Sequence, residues 1–116
     1  MPVVRYAMAV AVALLSSCAT NEHVVRYEVD CPMSGCMTHL AYRDAGGMKQ
    51  STALNNWRKQ FPSASGEQFQ LTVQRSRNLT GDLHVRVLID DREVVSARLG
   101  PGEGAAGPVT LAGEVP

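Results

Sequence analysis

Apolar and polar residues alternate with a period of two in short segments through most of the chain. In the first segment, Val25, Tyr27 and Val29 fall on one face of an extended strand, with charged residues between them. The same alternation recurs at residues 40–42, 69–73, 83–89 and 93–99. Such a pattern is typical of strands that place one face on a core and the other in water. The pattern therefore predicts an all-β domain.

Residues that favour turns separate these segments at 44–47, 62–66 and 78–82, where Gly, Asn, Asp, Ser and Pro are concentrated. The pair Asp90-Asp91 predicts a tight turn between two strands. Strands and turns at this regular spacing, over a chain of this length, predict a β-sandwich or a small barrel.

Two segments follow a different pattern. Residues 51–58 are the only stretch that resembles a helix, and residues 109–111 predict a last short strand. The glycine-rich residues 100–104 lack the Lys-Ser/Thr ending of a phosphate-binding loop, so we predict a connection there.

The beginning of the chain resembles a secretory leader. Arg5 and the amino terminus are positively charged, residues 7–15 are almost wholly apolar, and Leu15-Ser16-Ser17-Cys18 matches the bacterial lipobox. The apolar run is shorter than the roughly 20 residues that a transmembrane helix needs. We therefore predict a lipoprotein signal peptide over residues 1–17 and lipid on Cys18. An uncleaved anchor or an ordinary secretory signal are the alternatives.

The lipobox also predicts where the mature protein lies. Two or three acyl chains on Cys18 would hold it firmly at a membrane, because each buried methylene contributes about 0.8 kcal/mol. Ala19 replaces the aspartate that commonly retains lipoproteins in an inner membrane. In a host with two membranes we therefore expect the outer one, with the protein facing the periplasm. Residues 18–23 would form a tether, and residues 24–116 one domain.

Charge argues against a nucleic-acid partner. The chain has 11 Lys and Arg and 11 Asp and Glu, and cleavage of the leader removes Arg5. The mature protein would be slightly negative, without the concentrated basic face that nucleic-acid binding needs.

The three cysteines divide into two groups. Cys18 is assigned to lipid, which leaves Cys31 and Cys36 as an even pair in an oxidising compartment. We predict a structural disulfide between them. A redox-active pair would usually have two intervening residues, whereas this pair has four. A zinc site of Cys31, Cys36 and His39, completed by His23 or His84, would need reduced thiolates outside the cytoplasm.

No catalytic motif is apparent. His23, His39 and His84 lie on separate segments, and none has a nucleophile at a recognisable spacing. We therefore predict a protein that is not an enzyme and has no cofactor. Trp57, the one tryptophan, is either a core or rim residue or a contact with a partner.

Several segments resemble the MmpS-type small membrane-anchored proteins of mycobacteria and their lipoprotein relatives. Residues 25–29 are similar to the family's opening V-x-Y-E-V strand, and residues 40–47 to the next strand and turn. Residues 57–59 are similar to a W-x-K segment, residues 66–75 to the following strand, and residues 91–96 to a D-G-K-V-V-S hairpin. The resemblance covers nearly the whole mature domain, through short motifs.

The resemblance implies an immunoglobulin-like β-sandwich of about seven strands outside a membrane. It also implies a non-catalytic accessory role beside an RND-type exporter of lipids or siderophores. The chain departs from the family in its cysteines, in Arg92 at a turn glycine, and in a lipid replacing a transmembrane helix.

An alternative function comes from the turn at residues 62–66. Its Ser-Ala-Ser-Gly sequence resembles the loop that membrane-bound lysozyme inhibitors insert into the enzyme's cleft. That resemblance implies a lipoprotein inhibitor of a hydrolase, with Ser65 at the contact.

Overall fold

The computed structural model describes residues 22–31, 36–75, 82–100 and 108–116. The predicted signal peptide, Cys18, and most of segments 78–82 and 100–104 lie outside these residues. The described chain contains eight strands: β1 Glu22–Asp30, β2 Met37–Asp44, β3 Gly47–Leu54, β4 Trp57–Ala64, β5 Gln68–Arg75, β6 Leu83–Ile89, β7 Arg92–Leu99 and β8 Val109–Glu114. It contains no helix.

The strands form two antiparallel sheets that pack as a sandwich. Sheet A has the order β4-β1-β6-β7, and sheet B the order β3-β2-β5-β8. The pairings β4–β1 and β3–β2–β5–β8 follow the E–B and C′–C–F–G order of an immunoglobulin-like sandwich. The β6–β7 hairpin lies beside β1, where strand A lies in that fold. The predicted all-β sandwich is confirmed, with eight strands instead of about seven.

The core lies between the sheets and consists of the apolar residues of the predicted alternation. Tyr27 is at its centre, with ring centroids 6.1 Å from Tyr42 and 5.3 Å from Phe61. The wholly buried aliphatic residues come from both sheets: Val25, Val29, Leu71, Val73, Leu83, Val85 and Val87. The period of two therefore identified the inward faces of the central strands correctly.

The helix predicted over residues 51–58 is wrong. Residues 51–54 belong to β3 and residues 57–58 to β4, and the chain crosses from sheet B to sheet A between them. Asn55 has a positive φ of 61°, which a right-handed helix does not accommodate. Pairing with β2 and β1 outweighs the weak helical preference of the segment.

The Asp90-Asp91 turn is confirmed and joins β6 to β7. Asp90 and Asp91 have φ values of 52° and 65°, as a type I′ turn requires. This turn lies at the end of the sandwich where β1 begins, together with the β2–β3 turn at residues 45–46 and the β4–β5 turn at residues 65–66. We call this the N-terminal end of the sandwich.

The predicted disulfide is confirmed at the opposite end. Cys31 and Cys36 are bonded, their Cα atoms are 6.3 Å apart, and both are buried. The bond links the end of β1 in sheet A to the start of β2 in sheet B. Because both thiols are used, the zinc alternative with Cys31, Cys36 and His39 is excluded.

Candidate functional site

Three polar side chains meet at the N-terminal end of the sandwich. The ring of His23 has Nδ1 2.6 Å from Asp90 Oδ2 and Nε2 3.0 Å from Ser65 Oγ. His23 lies in β1, Ser65 in the β4–β5 turn and Asp90 in the β6–β7 turn. We call these three residues the His23 array.

The turn geometry fixes Asp90 for this contact. Its second oxygen, Oδ1, accepts a hydrogen bond from the backbone N–H of Val24 at 2.9 Å. The bonds from His23 and from the Val24 N–H hold the pKa of Asp90 below its ordinary value. The carboxylate therefore stays ionised and keeps the imidazole oriented.

The His23 array has the connectivity of a Ser-His-Asp triad. A triad also needs donors that stabilise the oxyanion, commonly backbone N–H groups beside the nucleophile. The N–H of Gly66 donates to Val115 O at 2.8 Å, and the N–H of Glu67 to Ala64 O at 3.2 Å. The two donors that follow Ser65 are therefore engaged within the chain, and the array joins β1 to two turns.

A second polar cluster covers the outer face of sheet A. At its centre is the carboxylate of Glu28, whose side chain is only 6% exposed. Glu28 Oε2 lies 2.7 Å from Arg26 Nε and 3.3 Å from Arg58 Nε, while Oε1 accepts a bond from Arg86. We call Glu28 and these three arginines the arginine cluster.

The electrostatics of Glu28 reflect two opposing effects. Burial alone would raise its pKa, but hydrogen bonds from Arg26 and Arg58 and the charges of Arg26 and Arg86 outweigh burial and lower it. The carboxylate is therefore ionised at neutral pH.

Neighbouring aspartates balance the remaining charge of the cluster. Asp30 Oδ2 lies 3.1 Å from Arg86 Nη2, and Asp91 Oδ1 lies 2.7 Å from Arg26 Nη1. The guanidinium groups are therefore already engaged by carboxylates of the same face. This arrangement stabilises the sheet but leaves little unbalanced charge to attract an anionic ligand.

The outer face of sheet B has a shallow depression of about 450 Å³, lined mostly by hydroxyl, amide and small apolar side chains together with one histidine. Ala41 in β2 lies between Gln50 of β3 and Thr72 of β5, and its short side chain leaves space between the longer ones. The lining is His39, Leu40, Ala41, Gln50, Ser51, Thr52, Thr72, Gln74 and Pro108. We call this the sheet B depression. It offers hydroxyl and amide groups, and no Asp, Glu, Lys or Arg is among its described lining residues. A depression of about 380 Å³ on the outer face of sheet A differs, because its lining includes charged residues; it is lined by Asp30, Asn56, Asp82, His84 and Arg98.

The site residues predicted from sequence lie elsewhere. Trp57 is half-buried at the start of β4, and its ring centroid is 5.2 Å from that of Tyr42. It packs against the core and does not line the sheet B depression. Its role as a partner contact stays a prediction, as does lipid on Cys18. Sequence reasoning missed the His23 array because no motif spacing links residues 23, 65 and 90.

Comparison with known proteins adds no family. No family model matches the chain, and no curated protein matches it. Within the described residues, no three His, Cys, Asp or Glu side chains are grouped as metal ligands, and no helix is long and apolar enough to cross a membrane.

Proposed function

We propose that this protein is a lipid-anchored lipoprotein of the bacterial cell envelope that acts as a non-catalytic binding or adaptor module. The observation that carries the proposal is the contrast between the two outer faces of the sandwich. Sheet A presents the ion-paired arginine cluster and a depression with charged lining residues, whereas the sheet B depression has no Asp, Glu, Lys or Arg among its described lining residues.

The cost of desolvation favours sheet B as the binding face. Burying an ion pair costs several kcal/mol per charge unless the partner replaces the lost solvation. Hydroxyl and amide groups cost less to bury, and a partner's backbone or side chains can satisfy them. A protein surface or a segment of polar cargo would therefore bind the sheet B depression with a lower desolvation free energy than the arginine cluster.

The proposed anchor sets the orientation of the domain. Between Cys18 and Glu22 the chain can span at most about 14 Å, because extended residues span roughly 3.3–3.6 Å each. Lipid on Cys18 would therefore hold the N-terminal end of the sandwich beside the membrane. The disulfide end would point away from the bilayer, toward the periplasmic parts of a partner.

The nature of the partner rests on the resemblance to the MmpS-type proteins. That resemblance favours an RND-type exporter of lipids or siderophores as the protein that this module assists. The hydrolase-inhibitor alternative has less support, since the Ser65 hydroxyl is bonded to His23 in a tight turn and does not extend freely.

Site-specific photo-crosslinking in living cells tests the proposal. A photoreactive residue replaces Gln74, an exposed residue in the lining of the sheet B depression, and in a matched variant it replaces Ser96, which is exposed on β7 of sheet A. We expect Gln74 to capture a component of an exporter and Ser96 to capture little. Capture from Ser96 instead, or capture of lysozyme or other peptidoglycan enzymes at Gln74, would contradict it.

A further inference from the structure

The four edge strands of the sandwich are unequally protected against pairing with another strand. In sheet A, β4 contains Pro62 and the cations Arg58 and Lys59, and β7 has an irregular register with β6 together with three charged residues. In sheet B, β8 has only six residues. Proline, charge, irregular pairing and short length are the features that prevent unwanted edge pairing.

Strand β3 has the fewest of these features. It has eight residues without proline, its pairing with β2 is regular, and Lys49 is its only charged residue. Two apolar side chains near its ends are exposed, Met48 by 53% and Leu54 by 62%. No other strand in the described part of the chain pairs with its free edge.

The hairpin register shows which backbone groups of β3 are available. In an antiparallel ladder, residues alternate between pointing their N–H and C=O groups toward one neighbour and toward the other. The N–H of Asn55 donates to Cys36 O at 2.7 Å, so the odd-numbered residues of β3 bond to β2. Met48, Gln50, Thr52 and Leu54 therefore direct their backbone groups to the free edge.

We propose that the free edge of β3 pairs with the same edge of a second copy of this chain, antiparallel, with Ser51 on the two-fold axis. This register places the free backbone groups of each strand opposite those of the other. It also places Met48 opposite Leu54 of the second copy, and Gln50 opposite Thr52 of the second copy. The contact between Met48 and Leu54 therefore forms twice, once on each side of the two-fold axis, and covers the exposed apolar residues of both chains.

The charges of β3 fit this register. Identical strands carry identical charges, so a symmetric pair is destabilised where a charged residue meets its own copy. Here Lys49 lies opposite Ala53 of the second copy, and the two lysines are separated by about 13 Å along the strands. Self-pairing of β4 or β7 would instead bring several charged residues into one interface.

The size of the contact predicts a weak association. Seven paired residues span roughly 23 Å of strand, and one strand edge buries far less than the roughly 800 Å² per partner of a stable interface. We therefore expect pairing at the high local concentration of an anchored protein, a step that rests on the proposed lipid anchor. The product would be a continuous eight-stranded sheet with two sheet B depressions on one face.

Cysteine crosslinking in membranes tests both the contact and its register. Full-length variants Q50C, S51C and T52C are oxidised in isolated membranes and compared with wild type on non-reducing denaturing gels. Residues opposite each other at a non-hydrogen-bonded position have Cα atoms about 4.5 Å apart, within the range of roughly 4.4–6.8 Å that a disulfide requires. We expect S51C to form a reducible dimer, several-fold more than Q50C or T52C.

Two further variants separate the interface from a general effect on the protein. In the S51C background, Leu54→Lys places a cation against Met48 of the second copy and should reduce the dimer strongly. Val94→Lys changes a residue of similar exposure on β7 and should leave it unchanged. Dimer absent from all three cysteine variants, equal in all three, or strongest at position 50 or 52 would overturn the inference. The Gln74 crosslink to an exporter needs no dimer, and the Ser51 dimer needs no exporter, so either proposal can fail while the other holds. Absence of the full-length protein from the isolated membranes would overturn the lipid anchor that both share.

Discussion

At the scale of single residues, the hydroxyl of Tyr27 joins the two sheets. It donates to Arg43 O at 2.5 Å and accepts from the N–H of Gln70 at 3.2 Å, so β1 of sheet A is bonded to β2 and β5 of sheet B. We expect Tyr27→Phe to lower the free energy of unfolding by about 1–3 kcal/mol, because it leaves two partly buried backbone groups without this partner. Urea denaturation measures the change, and an unchanged midpoint would contradict this role.

The same hydroxyl predicts a loss of stability in alkali. Burial, the largest effect, raises the pKa of Tyr27 to about 12. The unfolded chain loses this proton near the ordinary value of 10.0, so ionisation favours unfolding above that pH. The contribution of Tyr27 is therefore complete below pH 10 and is lost as the pH rises toward 12. Tyr27→Phe should flatten this part of the stability profile.

Glu28 gives the opposite pH dependence. Its pKa is lowered in the folded protein, so its contribution is present above the ordinary value of 4.5 and is lost as the pH falls through the folded value. We expect Glu28→Gln to lower the free energy of unfolding at pH 7 by about 2 kcal/mol, the value of charge-assisted hydrogen bonds.

A matched control for Glu28→Gln is available on the same face. Glu93→Gln changes an exposed carboxylate of β7 and should alter stability by no more than about 0.5 kcal/mol. Equal losses in the two variants, or a Glu28→Gln protein whose stability still falls in acid as the wild type does, would show that the arginine cluster does not stabilise the sheet.

At the scale of elements, the central strands were predictable and the edge strand β3 was not. β1, β5 and β6 have both neighbours in their sheet and pack one face on the core, so their sequences alternate strongly. In β3 only Ala53 is buried, so nothing in its sequence shows a hydrophobic face. β4 is similar, because Lys59 occupies an inward position opposite Tyr27. An edge strand forms because it pairs with a neighbouring strand, and a single sequence does not show which distant segment that neighbour is.

The polar clusters could not be predicted from the sequence for the same reason, because they depend on which strands lie next to each other. Period-two alternation identified the outward residues of the central strands, including Arg26, Glu28 and Arg86. It gave no order of strands within a sheet, and that order alone brings Arg58 to Glu28 and Ser65 to His23. Cys31 and Cys36 were paired correctly because their chemistry and compartment left few alternatives.

At the scale of the whole molecule, the two outer faces have different properties. The carboxylates of sheet A pair with the arginine cluster, while the sheet B depression has amide and hydroxyl groups and no Asp, Glu, Lys or Arg among its described lining residues. With lipid on Cys18, both faces would stand roughly perpendicular to the membrane, and the proposed β3 pairing would widen the face of sheet B. A module of this shape would present one surface to a partner and keep the other in water.

The most direct test of the proposed binding face is to place a charge in the sheet B depression and to measure how much of the exporter component still co-purifies. Ala41→Glu puts a carboxylate at its centre, and Ser96→Glu puts the same carboxylate on β7 of sheet A. Co-purification from membranes is compared for the two variants, after equal folding is verified by urea denaturation. We expect Ala41→Glu to lose most of the partner and Ser96→Glu to retain it. Retention by Ala41→Glu, or equal loss in both variants, would contradict the proposed binding face.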